Sequence, residues 1–370
     1  MKSQRSKQHT NAAEVQPQNT FPKEELMKKQ NSTTLKLAIL FAMVMTLAMS
    51  AMCAFAQNVY PSNNPNQVAI LRWYQANSST TFSPSGLENS GPIVFDGQKI
   101  WVAGSTSDTL SEYSIDGKQL AGPISLTSGG YALGMASDGA NLWITEFDIN
   151  KVCKVSESAP SAGTCYATGN GPYFDAFDGK YVWVVNTGDN TVEAFLATNP
   201  AINHTYATGS GPTGVAFDGS CIWVTNTNDN PGTVTVINPP SGSCSLSGTH
   251  ALGVANQYQQ PFSIAYDGRM MWVAYRGTPF AGPGGVVEVT PSFTTPHAFQ
   301  CNPGWGTGTV VFDGAYIWVA GGTSGICKSQ SSLFGNPVAI GTYSNGMNVS
   351  QLAFDGANVW AAGGSQIGKF

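Results

Sequence analysis

Charged residues are scarce in this chain. Only 11% of its 370 residues are Asp, Glu, Lys or Arg, against roughly 25% in ordinary soluble domains. Beyond residue 56 the chain has 10 Lys and Arg against 19 Asp and Glu, which gives a net charge near −9. Coiled coils and disordered tails need more charge, and binding to a phosphate backbone needs a basic surface. The composition excludes these classes, and nucleic acid is not an expected partner.

Common metal, haem and redox motifs are also missing. The sequence has no CxxC or CxxCH and only four histidines, which excludes zinc ribbons and covalently attached haem. We expect no cofactor and no resident metal. Six cysteines follow residue 56, an even number that permits disulfides in an oxidising compartment.

Residues 1–56 are typical of an export signal. Seven Lys and Arg precede the apolar run LAILFAMVMTLAMSAMCAFA, which ends in Ala-Phe-Ala. Its small residues predict cleavage before Gln57, and Met27 is an alternative start with an ordinary short basic region. An uncleaved anchor is the other interpretation, because 20 apolar residues can span a bilayer. We expect an exported protein, periplasmic, secreted or at the cell surface, which touches a membrane only if the leader is kept.

A repeat dominates the remaining residues. Seven segments share a core in which Asp-Gly is followed by a Trp five residues after the Asp, as in FDGSCIWVTN, and copies are spaced 40 to 49 residues apart. The Asp residues are Asp96, Asp138, Asp178, Asp218, Asp267, Asp313 and Asp355. The Trp residues are Trp101, Trp143, Trp183, Trp223, Trp272, Trp318 and Trp360. Asp-Gly between apolar runs predicts a β-hairpin whose turn is capped by the carboxylate, which we favour over a calcium role.

One copy, starting at Pro212, divides into four short strands separated by turn residues. We call them A, B, C and D and place them at 214–217, 221–226, 233–238 and 243–247. Four strands for every 40 to 50 residues, repeated seven times, predict an all-β fold, a seven-bladed β-propeller over 57–370. We expect it to be a monomer.

Both chain ends are predicted to share the last blade. After Trp360 the chain has room only for strand B and a short strand C, so strand D is missing there. The segment 67–82 precedes the first strand A and reads as a strand without a blade of its own. Pairing it beside the C-terminal strand would close the ring.

The repeat resembles a known family. The stretches IWVTNTNDNPGTVTVIN, VWVVNTGDNTVEAF and ATGSGPTGVAFDG are similar to the YVTN-type β-propeller repeats of bacterial and archaeal surface proteins. They are more distantly similar to the propeller of virginiamycin B lyases, with its DGxLWFTE core. The resemblance covers about 67–370 and implies a propeller, but surface-layer proteins, binding subunits and a few enzymes share this fold.

The propeller topology predicts where function can lie. D-to-A connections and B-to-C loops share one face, whose residues vary between copies, whereas the repeated Asp-Gly turns lie on the other. Aromatic, amide and carboxylate groups on the variable face suit a polar small molecule, such as a saccharide or cell-wall component, or a protein partner. The alternative is that these groups are solvated loop residues without a ligand. The candidates are Tyr131, Glu146, Asp148, Tyr173, Asp175, Asn186, Asp189, Asn226, Asp229, Gln260, Tyr275, Arg276 and Trp305.

The resemblance to the lyases implies a further test by position. Those enzymes pair a catalytic His near the start of strand A with a Glu at the end of strand B, helped by magnesium. Glu146 matches that Glu in WITE, but the strand-A position is near Ala132, and the histidines lie elsewhere, at His9, His204, His250 and His297. We assign no catalytic residue and favour a binding or scaffold module, with a lyase-like enzyme or an unrecognised hydrolase as the alternative.

One disulfide is predicted. Cys153 and Cys165 would face each other if strands C and D of the second blade form a hairpin. The four other cysteines of this region, Cys221, Cys244, Cys301 and Cys327, are left unassigned.

Overall fold

The structure is a computed structural model. It describes residues 80–83, 87, 89–126, 129–240, 242–254, 258–278, 282–290, 293, 298–299, 308–322, 325–330, 339–343 and 346–370, which belong to the compact unit Ser62–Phe370. The predicted leader, the cleavage site and Trp305 lie outside these residues. Within the described part, none of the helices is long and apolar enough to cross a membrane.

The described residues form seven four-stranded antiparallel sheets arranged as a ring, which confirms the all-β seven-bladed propeller. The first strand along the chain, β1 (Thr80–Phe82), belongs to the last blade. Blade 1 contains β2 (Ser90–Phe95), β3 (Lys99–Gly104), β4 (Thr109–Ser114) and β5 (Gln119–Ser125). Blade 2 contains β6 (Ala132–Ser137), β7 (Asn141–Glu146), β8 (Lys151–Ser156) and β9 (Thr164–Ala167). Blade 3 contains β10 (Pro172–Phe177), β11 (Tyr181–Asn186), β12 (Thr191–Leu196) and β13 (Asn203–Ala207).

The other four blades have the same strand order. Blade 4 contains β14 (Pro212–Phe217), β15 (Ile222–Asn226), β16 (Thr233–Ile237) and β17 (Gly248–Ala251). Blade 5 contains β18 (Pro261–Tyr266), β19 (Met271–Thr278), β20 (Gly282–Val289) and β21 (Ala298–Phe299). Blade 6 contains β22 (Val310–Phe312), β23 (Tyr316–Ala320), β24 (Ile326–Gln330) and β25 (Ala339–Tyr343). Blade 7 contains β26 (Gln351–Phe354), β27 (Val359–Gly363) and β28 (Gln366–Lys369).

Blade 7 is completed by the N-terminal strand, as predicted. Thr81 pairs with Gly368 in an antiparallel ladder between β1 and β28, giving the order β1-β28-β27-β26. Phe82 stacks on Trp360 with ring centroids 6.2 Å apart. The described strand covers only the end of the predicted segment, because 67–79 lie outside the described residues.

Each Asp-Gly turn is capped by its own carboxylate. In blade 1, Asp96 Oδ1 accepts hydrogen bonds from the backbone N–H groups of Gln98 and Lys99, both at 2.7 Å. Gly97 has a φ of 102°, which glycine adopts without strain. Asp96 Oδ2 accepts a third bond from Trp101 Nε1. The indole bond recurs in all seven copies at 2.6 to 2.8 Å. It explains the constant five-residue spacing.

The tryptophans also account for the small residue seven positions earlier. Ala176 lies directly opposite Trp183 across the β10–β11 ladder, and the same pairing holds for Ala216 and Trp223. All seven repeat tryptophans are at most 6% exposed. A small or β-branched side chain on strand A leaves room for the indole between neighbouring sheets, which is the packing that buries most of the core.

Two details of blade 4 differ from expectation. The predicted strand D at 243–247 is wrong, because the strand begins at Gly248. Residues before it form a turn that carries Cys244 to Cys221, with which it forms a disulfide. The sequence does not predict this pair, because it places Cys244 on strand D, which is not beside strand B. In the structure Cys244 lies in the C-to-D connection, which shares an end of the blade with the start of strand B. The predicted disulfide between Cys153 and Cys165 is present and joins paired residues of β8 and β9.

Candidate functional site

The B-to-C loops and D-to-A connections form one end of the propeller, here called the variable face. Several predicted site residues lie at the ends of strand B just below it: Glu146, Asn186 and Asn226 close β7, β11 and β15, and each is fully buried. Asp148 and Asp189 are exposed in the loops that follow. The three buried residues can affect a site only by supporting the loops above them, whereas the two exposed residues face solvent.

Four of the polar candidates hold the loops of blades 3 and 4. Asp189 Oδ2 accepts the backbone N–H of Asn170 at 2.6 Å, and Asp229 Oδ1 accepts that of Ser210 at 3.1 Å. Asn186 Nδ2 donates to a threonine hydroxyl at 3.3 Å, and Asn226 Nδ2 donates to two, at 2.8 and 3.0 Å. These contacts tie each B-to-C loop to the preceding D-to-A connection. The four residues thus fix the loops of the variable face.

A carboxylate that sequence reasoning missed lies in the same layer of blade 3. Burial raises the pKa of Glu193, although hydrogen bonds from the Gly169 N–H and the Asn186 side chain favour its charged form. In blade 4 the Gly169 and Asn186 bonds have their equivalents on Thr235, which accepts from the Gly209 N–H and from Asn226. Glu193 and Thr235 therefore occupy equivalent positions, and each helps to hold the loops of its blade. Only an alignment of the two repeats reveals this role.

An aromatic cluster lies where the variable face meets the central channel of the ring. It is defined as Phe147, Tyr173, Phe174 and Phe262. The Tyr173 ring contacts the other three edge-on, with centroids 6.2, 5.0 and 5.6 Å away. Phe174 and Phe262 are themselves 5.4 Å apart. The members come from blades 2, 3 and 5, and blade 4 leaves room between them because it has Thr213 and Gly214 where blade 3 has Tyr173 and Phe174.

Arg276 joins this cluster from the end of β19. Its guanidinium carbon lies 3.4 Å from the Phe262 ring centroid, a stacked cation–π geometry. It also forms a side-chain hydrogen bond with Tyr173. Burial lowers the pKa of Arg276, which the neighbouring Tyr173 opposes, and burial raises the pKa of Tyr173. The half-buried cation and the phenol together offer donors beside aromatic faces.

The other predicted residues lie around this cluster or apart from it. The carbonyl of Tyr131 accepts the backbone N–H of Phe147 at 3.0 Å. The carbonyl of Gln260 accepts that of Arg276, also at 3.0 Å. Tyr275 is buried on the opposite side of its strand, against Tyr258, and burial raises its pKa to about 12. Tyr131 and Gln260 thus position cluster members through the backbone, whereas Tyr275 belongs to the core.

Asp175 lies lower, on the wall of the central channel. The channel is a cavity of about 140 Å³ lined by strand A of every blade. At the Asp175 position the other six blades have aliphatic residues: Ile93, Met135, Val215, Ile264, Val310 and Leu352. Both carboxylate oxygens are shielded from solvent and accept no hydrogen bond of standard geometry within the described residues. Burial raises the pKa of Asp175 well above its usual range, and the nearby N–H of Ala136 only partly offsets this.

The described histidines do not belong to the aromatic cluster. His204 is on β13 and His250 on β17, the outermost strands of their blades, and His250 stacks on Phe293. Glu146 pairs across the ladder with Ala132, the position at which the lyase resemblance implies a histidine. Among the described residues, no group of three or more His, Cys, Asp or Glu side chains could hold a metal ion.

Comparison with known proteins identifies the fold. No family model and no curated protein matches the sequence, so the YVTN-type resemblance rests on the repeat residues alone. Solved structures do match. A streptogramin B lyase is 17% identical with a TM-score of 0.61, over 79% of this chain and 96% of that chain.

Two further structures give a similar result. Virginiamycin B lyase from Staphylococcus aureus is 17% identical with a TM-score of 0.60, over 79% of this chain and 97% of that chain. Hydrazine synthase from Kuenenia stuttgartiensis is 13% identical with a TM-score of 0.64, over 81% of this chain and 99% of that chain. At these identities the likeness shows a shared seven-bladed propeller fold, and the lyase-like structures are among its neighbours.

Proposed function

We propose that this propeller is an exported binding module that holds a polar ligand, a saccharide or cell-wall component, at the aromatic cluster of the variable face. One observation carries the proposal: Tyr173, Phe262 and Arg276, from two non-adjacent blades, contact one another at the channel mouth. Residues that only cap their own loops would not converge in this way. The other polar candidates support the loops around this cluster.

The chemistry of the cluster favours a saccharide. The flat faces of sugar rings pack on aromatic side chains, and their hydroxyl groups pair with fixed donors and acceptors. Tyr173 and Phe147 are partly exposed, and the guanidinium of Arg276 has a planar set of donors that matches a carboxylate. An acidic saccharide is therefore expected to bind more tightly than its neutral counterpart.

Calorimetric titration of the purified protein tests this proposal. Neutral and acidic oligosaccharides and soluble cell-wall fragments are titrated into the wild type and into Arg276→Gln. The variant is expected to lose at least tenfold in affinity for the acidic ligand. Lys180→Gln, which removes an exposed cation at an Asp-Gly turn on the opposite face, is the matched control and is expected to bind normally.

Other outcomes decide against the saccharide. If none of these ligands binds, the saccharide proposal fails, and capture of a protein partner that depends on Arg276 would take its place. If both charge variants bind equally well, the ligand site is not at the aromatic cluster. The export part of the proposal is tested separately, by N-terminal sequencing of the mature protein, which is expected to begin at Gln57.

A lyase-like activity is the second candidate. The fold similarity to streptogramin B lyase and the buried Glu146 at the end of strand B favour it. A His-to-Ala variant of virginiamycin B lyase, solved with quinupristin, is described as catalytically inactive. In this chain Ala132 lies opposite Glu146. Incubation with a streptogramin B peptide, followed by mass spectrometry, tests this: ring opening that Glu146→Gln abolishes would establish the activity.

A further inference from the structure

Phe147 and Arg276 occupy the same position of the repeat, although they belong to different blades. Each lies four residues after the repeat Trp. Each donates its backbone N–H to a carbonyl in the connection that leads into strand A of its own blade, and both bonds measure 3.0 Å. Blades 1, 3 and 4 form the same backbone bond at this position through Ser105, Thr187 and Thr227. The five blades thus share one backbone geometry here and differ in the side chain.

In the other blades this side chain is small, and in three of them it joins the sheets of the ring. The hydroxyls of Ser105, Thr187 and Thr227 each donate to the carbonyl of the first strand-A residue in the next blade, at 2.6 to 2.8 Å. Blades 6 and 7 have Gly322 and Gly364 at this position. Only blades 2 and 5 have a large side chain here. Phenylalanine has no donor with which to form the inter-blade bond, so the side chain in blade 2 does not serve the ring in this way.

Both large side chains contact Tyr173 of blade 3. The Phe147 ring meets Tyr173 edge-on, with centroids 6.2 Å apart. Arg276 forms a hydrogen bond with Tyr173 and stacks on Phe262 at 3.4 Å. The rings of Phe174 and Phe262 are buried, whereas the other three side chains are partly exposed. A ligand can therefore reach an exposed row of three side chains, with a neutral aromatic end at Phe147 and a cationic end at Arg276.

The side chains of the exposed row indicate the form of its ligand. The guanidinium of Arg276 matches a carboxylate, whereas Phe147 offers an apolar surface to a neutral sugar ring. The exposed Asp148 follows Phe147 and disfavours a second carboxylate at that end. Because Tyr173 lies between the two ends, a ligand that contacts both must contain at least two linked units.

We propose that the ligand is a linear saccharide of at least two units, with a carboxylate-bearing unit at Arg276 and a neutral unit on Phe147. This inference rests on the saccharide function proposed above and adds the length and the direction of the ligand. Phe147 acts as a specificity-determining residue for the second unit. The repeat position that joins neighbouring sheets in blades 1, 3 and 4 thus serves recognition in blades 2 and 5.

Calorimetric titration with three matched probes tests the two ends of the exposed row. The probes are glucuronic acid, cellobiose and cellobiouronic acid, in which glucuronic acid is linked to glucose. We expect the wild type to bind cellobiouronic acid about tenfold more tightly than glucuronic acid, because the neutral unit covers a further aromatic face. Cellobiose has no carboxylate and should bind about tenfold more weakly than cellobiouronic acid.

Two variants that copy other blades separate the two ends. Phe147→Thr, which copies Thr187 and Thr227, should bind glucuronic acid as the wild type does but lose the gain from the neutral unit. Arg276→Thr should bind cellobiose normally and lose the preference for cellobiouronic acid over cellobiose. Ile202→Thr removes an exposed apolar side chain from a C-to-D connection on the opposite face. This control should bind all three probes normally.

Thermal unfolding distinguishes a role in recognition from a role in support. The new hydroxyl of Phe147→Thr can donate to the carbonyl of Pro172, the first residue of strand A in blade 3, as Thr187 and Thr227 do in their blades. The unfolding midpoint of this variant should therefore equal or exceed that of the wild type. A clearly lower midpoint would identify Phe147 as a structural residue and overturn its role in binding.

Three binding results would also overturn the inference. They are equal affinity of the wild type for glucuronic acid and cellobiouronic acid, equal weakening of both by Phe147→Thr, and no binding of any of the three probes. The first two would leave the saccharide function standing. The broader titration of oligosaccharides and cell-wall fragments decides on that function separately.

Discussion

Trp360 Nε1 donates a hydrogen bond to Asp355 Oδ2 over 2.7 Å, at a turn where both residues are buried. Asp355 Oδ1 accepts two more, from the backbone N–H groups of Ala357 and Asn358. Asn358 Nδ2 donates a further bond to Asp355 Oδ2 at 3.1 Å, so one carboxylate serves four donors that would otherwise be without partners in the core. The indole bond and the two backbone bonds recur in every blade. The spacing of Asp, Gly and Trp is therefore set by both the hairpin turn and the packing of the buried indole.

Replacing this carboxylate should destabilise the fold strongly. Asp355→Ala leaves four donors without this acceptor, so we expect a loss of about 3 kcal/mol in the free energy of unfolding. Asp96→Ala, at a more exposed turn, should lose less because water can replace the carboxylate. Urea unfolding followed by Trp fluorescence measures both. Equal losses in the two variants would show that burial does not set the value of this contact.

Glu157 makes stability depend on pH near neutrality. Burial raises its pKa from 4.5 to about 7, Asp96 and Asp138 add to the rise, and the Ser137 hydroxyl and Lys99 oppose it. Between pH 4.5 and 7 the folded protein therefore holds a proton that the unfolded chain has lost, so this group's contribution falls as pH rises through that window.

Glu157→Gln is expected to remove this dependence. Its unfolding free energy, subtracted from that of the wild type at each pH, should reveal a relative loss of wild-type stability from about pH 4.5 to 7, levelling above that. Difference curves that are flat across the window would contradict the raised pKa. Ser137 occupies the place where the other six repeats have an aromatic ring, so the polar pair is specific to blade 2.

The disulfide between Cys221 and Cys244 should contribute measurably to stability. It closes a loop with a sequence separation of 23 residues, for which chain-entropy estimates give about 3 kcal/mol. The double variant Cys221→Ser with Cys244→Ser is expected to unfold at correspondingly lower urea. When both proteins are reduced, which also breaks the Cys153–Cys165 bond, the wild type and the variant should unfold at the same urea concentration. A variant as stable as the oxidised wild type would argue against the bond.

Gly134 marks a close approach between blades 2 and 3. An added Cβ would lie 2.6 Å from the Tyr173 carbonyl oxygen and 2.9 Å from Phe174 Cα. Gly134→Ala should therefore cost 1 kcal/mol or more, roughly the range of overpacked cores. Gly341 is the control, since its Cβ would meet nothing within 4 Å, and Gly341→Ala should leave the unfolding midpoint nearly unchanged.

The fold was predictable from the sequence because each repeat carries its own local evidence. Asp218, its following Gly and Trp223 define a turn and a packing site within six residues, and seven copies leave little ambiguity. Strand D of blade 4 is not predicted correctly because its sequence, GTHA, is short and mostly exposed, so it lacks the alternating pattern that marks inner strands. The Cys221–Cys244 bond was missed for a related reason, since it depends on the path of a connection.

The candidate site was predictable only in part. The propeller topology predicts that Tyr173 and Arg276 lie on the variable face, but their mutual contact depends on the small residues Thr213 and Gly214 in the intervening blade. Phe262 has no signal of its own, because single aromatic residues in β-rich proteins most often belong to the core. The same topology predicts Asp175 on the variable face, whereas an alignment of the seven A strands places it in an otherwise aliphatic ring.

The pairing of β1 with β28 sets the order of events during synthesis. The strand that completes blade 7 is the first of the described strands to be made, and its partner, β28, is the last. Until that partner emerges, β1 has an unsatisfied edge and the first and last blades cannot meet. Ring closure is therefore delayed until β28 has been synthesised, and a chain that stops before this strand is left with exposed strand edges.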